Sequence, residues 1–96
     1  MLRIPLSNIP NQTFGVNLGG KECFFELVTR NDVLYANKIY IEDKLVACGV
    51  ACLNKNNIFD LLNGKISGKL YFYDLDGDEN PNYTGFNMRW VLLYEE

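Results

Sequence analysis

Phe14-Gly-Val-Asn-Leu-Gly-Gly-Lys-Glu-Cys-Phe-Phe-Glu-Leu27 decides the fold class. Phe14, Val16 and Leu18 recur at a spacing of two, the period of a half-buried strand whose successive side chains point to opposite faces. Gly19-Gly20 then offers two positions at which positive φ carries no steric cost, so the chain reverses in a tight hairpin. The returning strand, residues 21–29, sets Cys23, Phe25 and Leu27 on one face and Glu22 and Glu26 on the other, with Phe24 interrupting the polar face.

The same grammar extends outward. Arg30-Asn31-Asp32 is turn chemistry, and residues 33–41 alternate Val33, Tyr35, Ile39 and Ile41 against Leu34, Ala36, Lys38 and Tyr40, which predicts a strand covered on both sides. Glu42-Asp43 closes a second hairpin onto a run of small and β-branched residues, 44–53, where Gly49 predicts a bulge or a close backbone approach. Residues 54–57 form a polar connection, 58–62 one helical turn, and Asn63-Gly64 a turn. Aromatic enrichment makes residues 69–74 a strand, and a polar loop leads to a last strand over residues 87–94. About six strands at hairpin spacing, without a long helical period or an internal repeat, predict an all-β fold: a small antiparallel β-barrel or sandwich with at most one short helical turn. Residues 1–96 are expected to form a single β domain, with 1–12 an extended arm because Pro5 and Pro10 oppose central-strand pairing.

Composition bounds the function. Ninety-six residues allow one core, and an aromatic fraction of 14% supplies the side chains to fill it. A net charge of −3 without a polybasic run argues against nucleic acid as a partner. The N-terminus lacks the apolar run of a secretory signal, so synthesis in the cytoplasm is expected, and no stretch approaches the roughly 20 apolar residues of a membrane span. Cys23, Cys48 and Cys52 are an odd set without C-x-x-C spacing or a histidine to complete a zinc site, and they read as small hydrophobes rather than as ligands or a disulfide framework. Cys48 and Cys52, four apart on a strand, would share a face.

Three constellations bear on chemistry. Asp74-Leu-Asp76-Gly-Asp78-Glu-Asn80 begins like a calcium loop, but Glu79 stands where that loop turns on glycine and Gly85 where it closes on glutamate. Residues 74–85 are therefore expected to be an exposed acidic connector without a stable calcium site. Asp60, Asp74, Asp76, Asp78 and Glu79 form a pool of carboxylates from which spacing selects no catalytic pair. No nucleophile motif surrounds Ser7 or Ser67, and no catalytic, metal or cofactor residues are assigned. The aromatics Tyr35, Tyr40, Tyr71, Tyr73, Tyr83, Trp90 and Tyr94 suit both a core and an interface. The triplets Asn11-Gln-Thr13 and Asn82-Tyr-Thr84 read as turn chemistry rather than glycosylation sites.

Taken together, Ile4-Pro5-Leu6, Asn11-Gln12-Thr13-Phe14, Leu18-Gly19-Gly20, Gly49-Val50, Leu70-Tyr-Phe-Tyr-Asp74, Asn80-Pro-Asn-Tyr83 and Arg89-Trp-Val-Leu-Leu-Tyr94 resemble the baseplate plug family of contractile bacteriophages. Gly85-Phe86-Asn87 departs from that family's Leu-Gly before the last strand, and residues 56–62 have no evident counterpart. The resemblance implies a non-catalytic component of the virion tail baseplate, an oligomer near the junction of tail tube, hub and central spike, with other tail proteins as partners and no cofactor. Two elements are the expected docking surfaces: the arm, where Leu2, Ile4, Leu6 and Ile9 are free to pack on a neighbour, and the loop 80–86, where Tyr83 and Phe86 have no obvious core partner. On this reading, deletion of residues 2–9 leaves a folded domain that fails to assemble. A small carbohydrate- or ligand-binding β-domain is the alternative, and an enzyme of the glycoside hydrolase type the third reading. A concave apolar pocket with convergent polar groups would favour the ligand-binding domain.

Synthesis in a reducing compartment leaves all three thiols free. The intact mass of freshly prepared protein under non-reducing conditions is expected to equal the fully reduced mass; a loss of two hydrogens would contradict it.

Overall fold

The computed structural model describes residues 1–62 and 64–96, so the Asn63 half of the expected Asn63-Gly64 turn lies outside the described residues. Its strands are β1 (Leu2–Ile4), β2 (Gln12–Leu18), β3 (Lys21–Arg30), β4 (Val33–Ile41), β5 (Lys44–Ala51), β6 (Lys69–Asp74) and β7 (Trp90–Glu95), with 3-10 turns at Ile58–Leu62 and Tyr83–Gly85. The fold is all-β: a four-stranded sheet in the order β2-β3-β4-β5 and a three-stranded sheet in the order β1-β7-β6, every ladder antiparallel. No ladder joins the two sheets; their nearest backbone link is an isolated parallel bridge from Asn54 to Phe72. The arrangement is that of a sandwich.

Three two-residue hairpins build the larger sheet. Leu18 pairs with Lys21, Arg30 with Val33, and Ile41 with Lys44. Both central residues of each turn have positive φ: Gly19 and Gly20, Asn31 (50°) and Asp32 (62°), Glu42 (50°) and Asp43 (66°). That backbone matches the right-handed twist of the flanking strands, which is why two-residue loops select it. Gly19 is doubly constrained, because a Cβ there would lie 2.7 Å from the Tyr94 hydroxyl.

The core draws on both sheets: Phe25, Leu27, Leu34, Ala36 and Ile39 from one, Leu70, Phe72, Leu92 and Tyr94 from the other. Phe59, from the first 3-10 turn, stands between them with its ring 6.3 Å from Phe25 and 6.2 Å from Tyr94. Asn57 holds that turn in place, its Oδ1 accepting from the N–H groups of Phe59 and Leu70, each at 3.0 Å.

Three expectations are corrected. The simple alternation along β4 fails: Leu34 and Ala36 face the core, then Ile39 and Ile41 do, because Asn37 is an extra residue in the pairing with β3, which passes from Leu27 opposite Ala36 to Glu26 opposite Lys38. A bulge of this kind shifts the phase of every later side chain. Gly49 has φ +62° with open space at its Cβ position, so it serves backbone conformation rather than a close approach; Cys48 is accordingly exposed while Cys52 is buried. The last strand starts at Trp90 rather than residue 87, since Asn87 has φ +69° and the N–H of Arg89 turns back to Gly85 O at 2.9 Å.

Glu42 and Asp43 occupy left-handed backbone that costs an ordinary L-residue about 1 kcal/mol or more. Replacing the pair by Asn-Gly is expected to raise stability by about 1 kcal/mol, or roughly 4–8 °C in Tm for a chain of this size. Thermal unfolding followed by circular dichroism checks this, and an unchanged or lower Tm contradicts it.

Candidate docking face

The two elements singled out in the sequence are one surface in the structure. The Asn8 Nδ2 donates to the carbonyls of Tyr83, Thr84 and Phe86, each at 3.2 Å. Asn87 faces it with a reciprocal pair: its Oδ1 accepts from the Leu6 N–H at 3.1 Å, and its Nδ2 donates to the Leu6 carbonyl. Arg3 donates to the Asn87 carbonyl. Gln12 closes the base of the arm, accepting from Ser7 N–H at 2.9 Å and donating to Ser7 O at 2.7 Å. These amide side chains satisfy backbone groups that Pro5, Pro10 and the irregular loop leave without a ladder.

The arm is not free of its own chain. Leu2, Arg3 and Ile4 form β1 and pair with Tyr94, Leu93 and Leu92 of β7, a strand the prolines concealed because both lie outside it. Ile4 is 4% exposed and Leu6 9%, so both belong to this chain's core rather than to a neighbour's. Phe86 is 1% exposed and does have a core partner, stacking on Phe72 with centroids 5.7 Å apart. Deletion of residues 2–9 would therefore remove a strand and two core side chains, and the expectation that it leaves a folded domain is corrected. Leu2 and Ile9 remain exposed, and Tyr83 is half-buried against the core. Sequence reasoning missed Met1 and Met88, both 81% exposed. Met88 was absorbed into a strand that in fact begins two residues later; its only signal was an apolar residue between Asn87 and Arg89.

The loop that carries this face is braced from inside by Asp74. Its carboxylate is fully buried and bound by Arg89 Nε and a terminal nitrogen, each at 2.9 Å, and it accepts from the N–H groups of Asp76 and Glu79, each at 2.9 Å. The Arg89 hydrogen bonds, together with those backbone donors, hold the Asp74 carboxyl well below the usual carboxylate range, and Asp74 in turn pushes the guanidinium up. Arg89 also reaches Glu79 Oε2 at 3.0 Å and lies over the Trp90 ring, while Trp90 Nε1 donates to Glu79 O at 3.0 Å. Gly85 fits only because it lacks a Cβ, which would meet the Trp90 ring at 2.6 Å.

This bracing assigns the acidic residues. Asp74 points inward to Arg89, Asp78 pairs with Lys55 at 2.7 Å, and Asp60 accepts from Asn57 at 3.3 Å. Among the described residues no group of three His, Cys, Asp or Glu side chains is arranged to hold a metal ion. A concavity of about 710 Å³ is an open groove between the end of β5 and β6, lined by Val50, Lys55, Asp60, Lys69, Tyr71 and Glu95. Burial pushes the Cys52 thiol up to about 12 and raises that of Cys23, so neither is a nucleophile at neutral pH. No helix of the described residues is long and apolar enough to cross a membrane.

With this geometry in hand, the chain was compared with known proteins. The model of one family, described as the cyanophage baseplate Pam3 plug gp18, matches residues 1–96. No curated protein matches the chain.

The depressed Asp74 pKa makes the brace acid-sensitive. Its contribution to stability is complete above the ordinary carboxylate value of 3.8 and is lost as pH falls below it towards the folded-state value. Asp74→Asn is expected to lower Tm at pH 7, with the gap from the parent protein narrowing as pH falls below that value. Melting curves from pH 7 to strongly acid solution test this, and a gap independent of pH would assign the loss to packing instead.

Proposed function

From the premise that the chain belongs to the cyanophage baseplate plug family, we propose that it is a non-catalytic structural component of the tail baseplate that packs at the junction of tube, hub and spike through the arm–loop face. The observation that carries this reading is the clasp of Asn8 and Asn87, which holds the arm and the 83–87 loop as one shaped surface beside exposed Met1, Leu2, Ile9 and Met88. Apolar side chains presented on a fixed backbone lose little entropy on docking, and a few such anchors dominate the affinity of an interface. Within the acidic loop Asp74 and Glu79 bind Arg89 and Asp78 binds Lys55, so these carboxylates brace the chain, which supports a mechanical over a chemical role. Other baseplate proteins are the partners this reading assigns, with the chain itself present in several copies.

Leu2→Glu combined with Ile9→Glu changes only exposed positions and is expected to leave Tm nearly unchanged, within roughly 0.5 kcal/mol of stability per site. Incorporation into tails is expected to fall at least tenfold, measured by complementation of a phage lacking the protein and by immunoblotting of purified tails. Normal incorporation of this folded variant would refute the docking role of the face.

A further inference from the structure

The two edges of the four-stranded sheet carry few of the charges that ordinarily protect edge strands. Isolated sheets guard their edges with charges, prolines or inward-pointing lysines, because a bare row of N–H and C=O groups templates pairing with another chain. Here β2, Gln12–Leu18, contains no charged residue, and β5, Lys44–Ala51, contains only Lys44 at its first position. The charges sit on the interior strands instead: Lys21, Glu22, Glu26 and Arg30 on β3 and Lys38 on β4. On the other sheet β1 carries Arg3 and β6 carries Lys69, the Asp74 carboxylate of β6 being buried against Arg89. What protection β5 has is Lys44 at its start, the bulge at Val46, where the pairing passes from Ala47 opposite Ile39 to Leu45 opposite Tyr40, and the left-handed backbone of Gly49, whereas β2 has no charge at all.

The core is also incompletely covered along the same two strands. Phe14 and Val16 of β2 and Val46 and Ala47 of β5 pack against the core yet stay partly exposed. Open grooves of about 710 Å³ and 430 Å³ run beside the two ends of β5, the first at Val50 and Ala51 and the second at Leu45 and Val46.

The geometry points to a second copy of this chain as the occupant, joined head to tail, with β5 of one copy pairing with β2 of the next. The strand directions fit: because every ladder in the sheet is antiparallel, β5 and β2 run in opposite senses, and the joint continues the alternation. The lengths fit, seven residues against eight, and no like charges meet. A two-fold pairing of β5 with β5, or of β2 with β2, would leave the other edge of each copy bare, whereas the head-to-tail joint covers both edges and closes into a ring when the rotation permits. This joint uses β2 and β5 of the four-stranded sheet rather than Leu2, Ile9 or the 83–87 loop, and does not depend on the docking reading.

Cysteine cross-linking of the full chain tests it. Cys48 on β5 is exposed, while Cys23 and Cys52 are buried. Thr13, Gly15 and Asn17 form the exposed face of β2, and a Cβ at Gly15 would meet nothing closer than 3.7 Å. Directly opposed residues of an antiparallel pair lie about 4.5–5.5 Å apart between Cα atoms, within reach of a disulfide. Under mild oxidation, at least one of Thr13→Cys, Gly15→Cys and Asn17→Cys is expected to give a covalent ladder of dimers, trimers and larger species that the parent protein does not give. Light scattering of the parent is expected to show mass rising with concentration, and Asn17→Lys with Leu45→Lys, both exposed, to weaken that assembly at least tenfold. Absence of a ladder in all three variants overturns the proposal, as does a parent dimer linked through Cys48 alone, which is the mark of a two-fold β5 joint. The ladder persists in the Leu2→Glu, Ile9→Glu protein, so failure of the joint and failure of the docking face are read separately.

Discussion

Phe59 is the side chain on which the sandwich depends. Among the described residues the two sheets share no ladder, so their relative position is set by side-chain packing, by the bridge at Asn54 and Phe72 and by asparagine hydrogen bonds from the connection to β6. Phe59 fills the space between them, stacked against Phe25 on one side and edge-on to Tyr94 on the other. Removing a buried phenylalanine of this kind costs about 3–5 kcal/mol, a large share of the roughly 5–15 kcal/mol that stabilises a small domain. Its position comes in turn from Asn57, whose one carbonyl oxygen ties the 3-10 turn to the first residues of β6.

Asparagine side chains do in the connections what ladders do in the sheets. Asn54 accepts from Asp74 N–H at 2.9 Å, and its own N–H donates to Asn80 Oδ1 at 3.1 Å. Asn82 caps the second 3-10 turn, accepting from Thr84 N–H at 3.0 Å, and Asn8 and Asn87 lock the arm to the loop. An amide carries both a donor and an acceptor without a charge, so it can replace a strand neighbour in irregular backbone at small desolvation cost. The outcome is a small protein whose loops are held in shape. Stiffness of this kind suits the structural role proposed for the chain.

The ionic network has the same structural purpose. Asp74 is buried with four hydrogen bonds to its carboxylate, and Arg89 is shared between it, Glu79 and the Trp90 ring. A buried carboxylate is tolerated only when so fully paired, and here the pairing fixes where the chain leaves β6 and enters β7. The arm–loop surface, the brace beneath it and the core residue Phe86 therefore form one continuous structure.

Much of this was legible in the sequence because it is local. Alternation at a spacing of two and the dipeptides Gly19-Gly20, Asn31-Asp32 and Glu42-Asp43 determine the strands β2 to β5 and their hairpins, since register in a two-residue hairpin follows from the turn itself. The aromatic run at residues 69–74 and the helical turn at 58–62 follow from residue type alone. What only the tertiary structure decided is non-local. β1 exists because β7, some ninety residues away in sequence, offers it an edge; the phase change at Asn37 depends on which neighbour accommodates the extra residue; and Asp74 is a buried brace because Arg89 reaches it. Ile4, Leu6 and Phe86 looked like free anchors for the same reason: apolar side chains beside prolines and turns carry no local mark of what covers them. Burial is a property of the assembled fold, and long-range packing is the information that a pattern of neighbours along the chain does not contain.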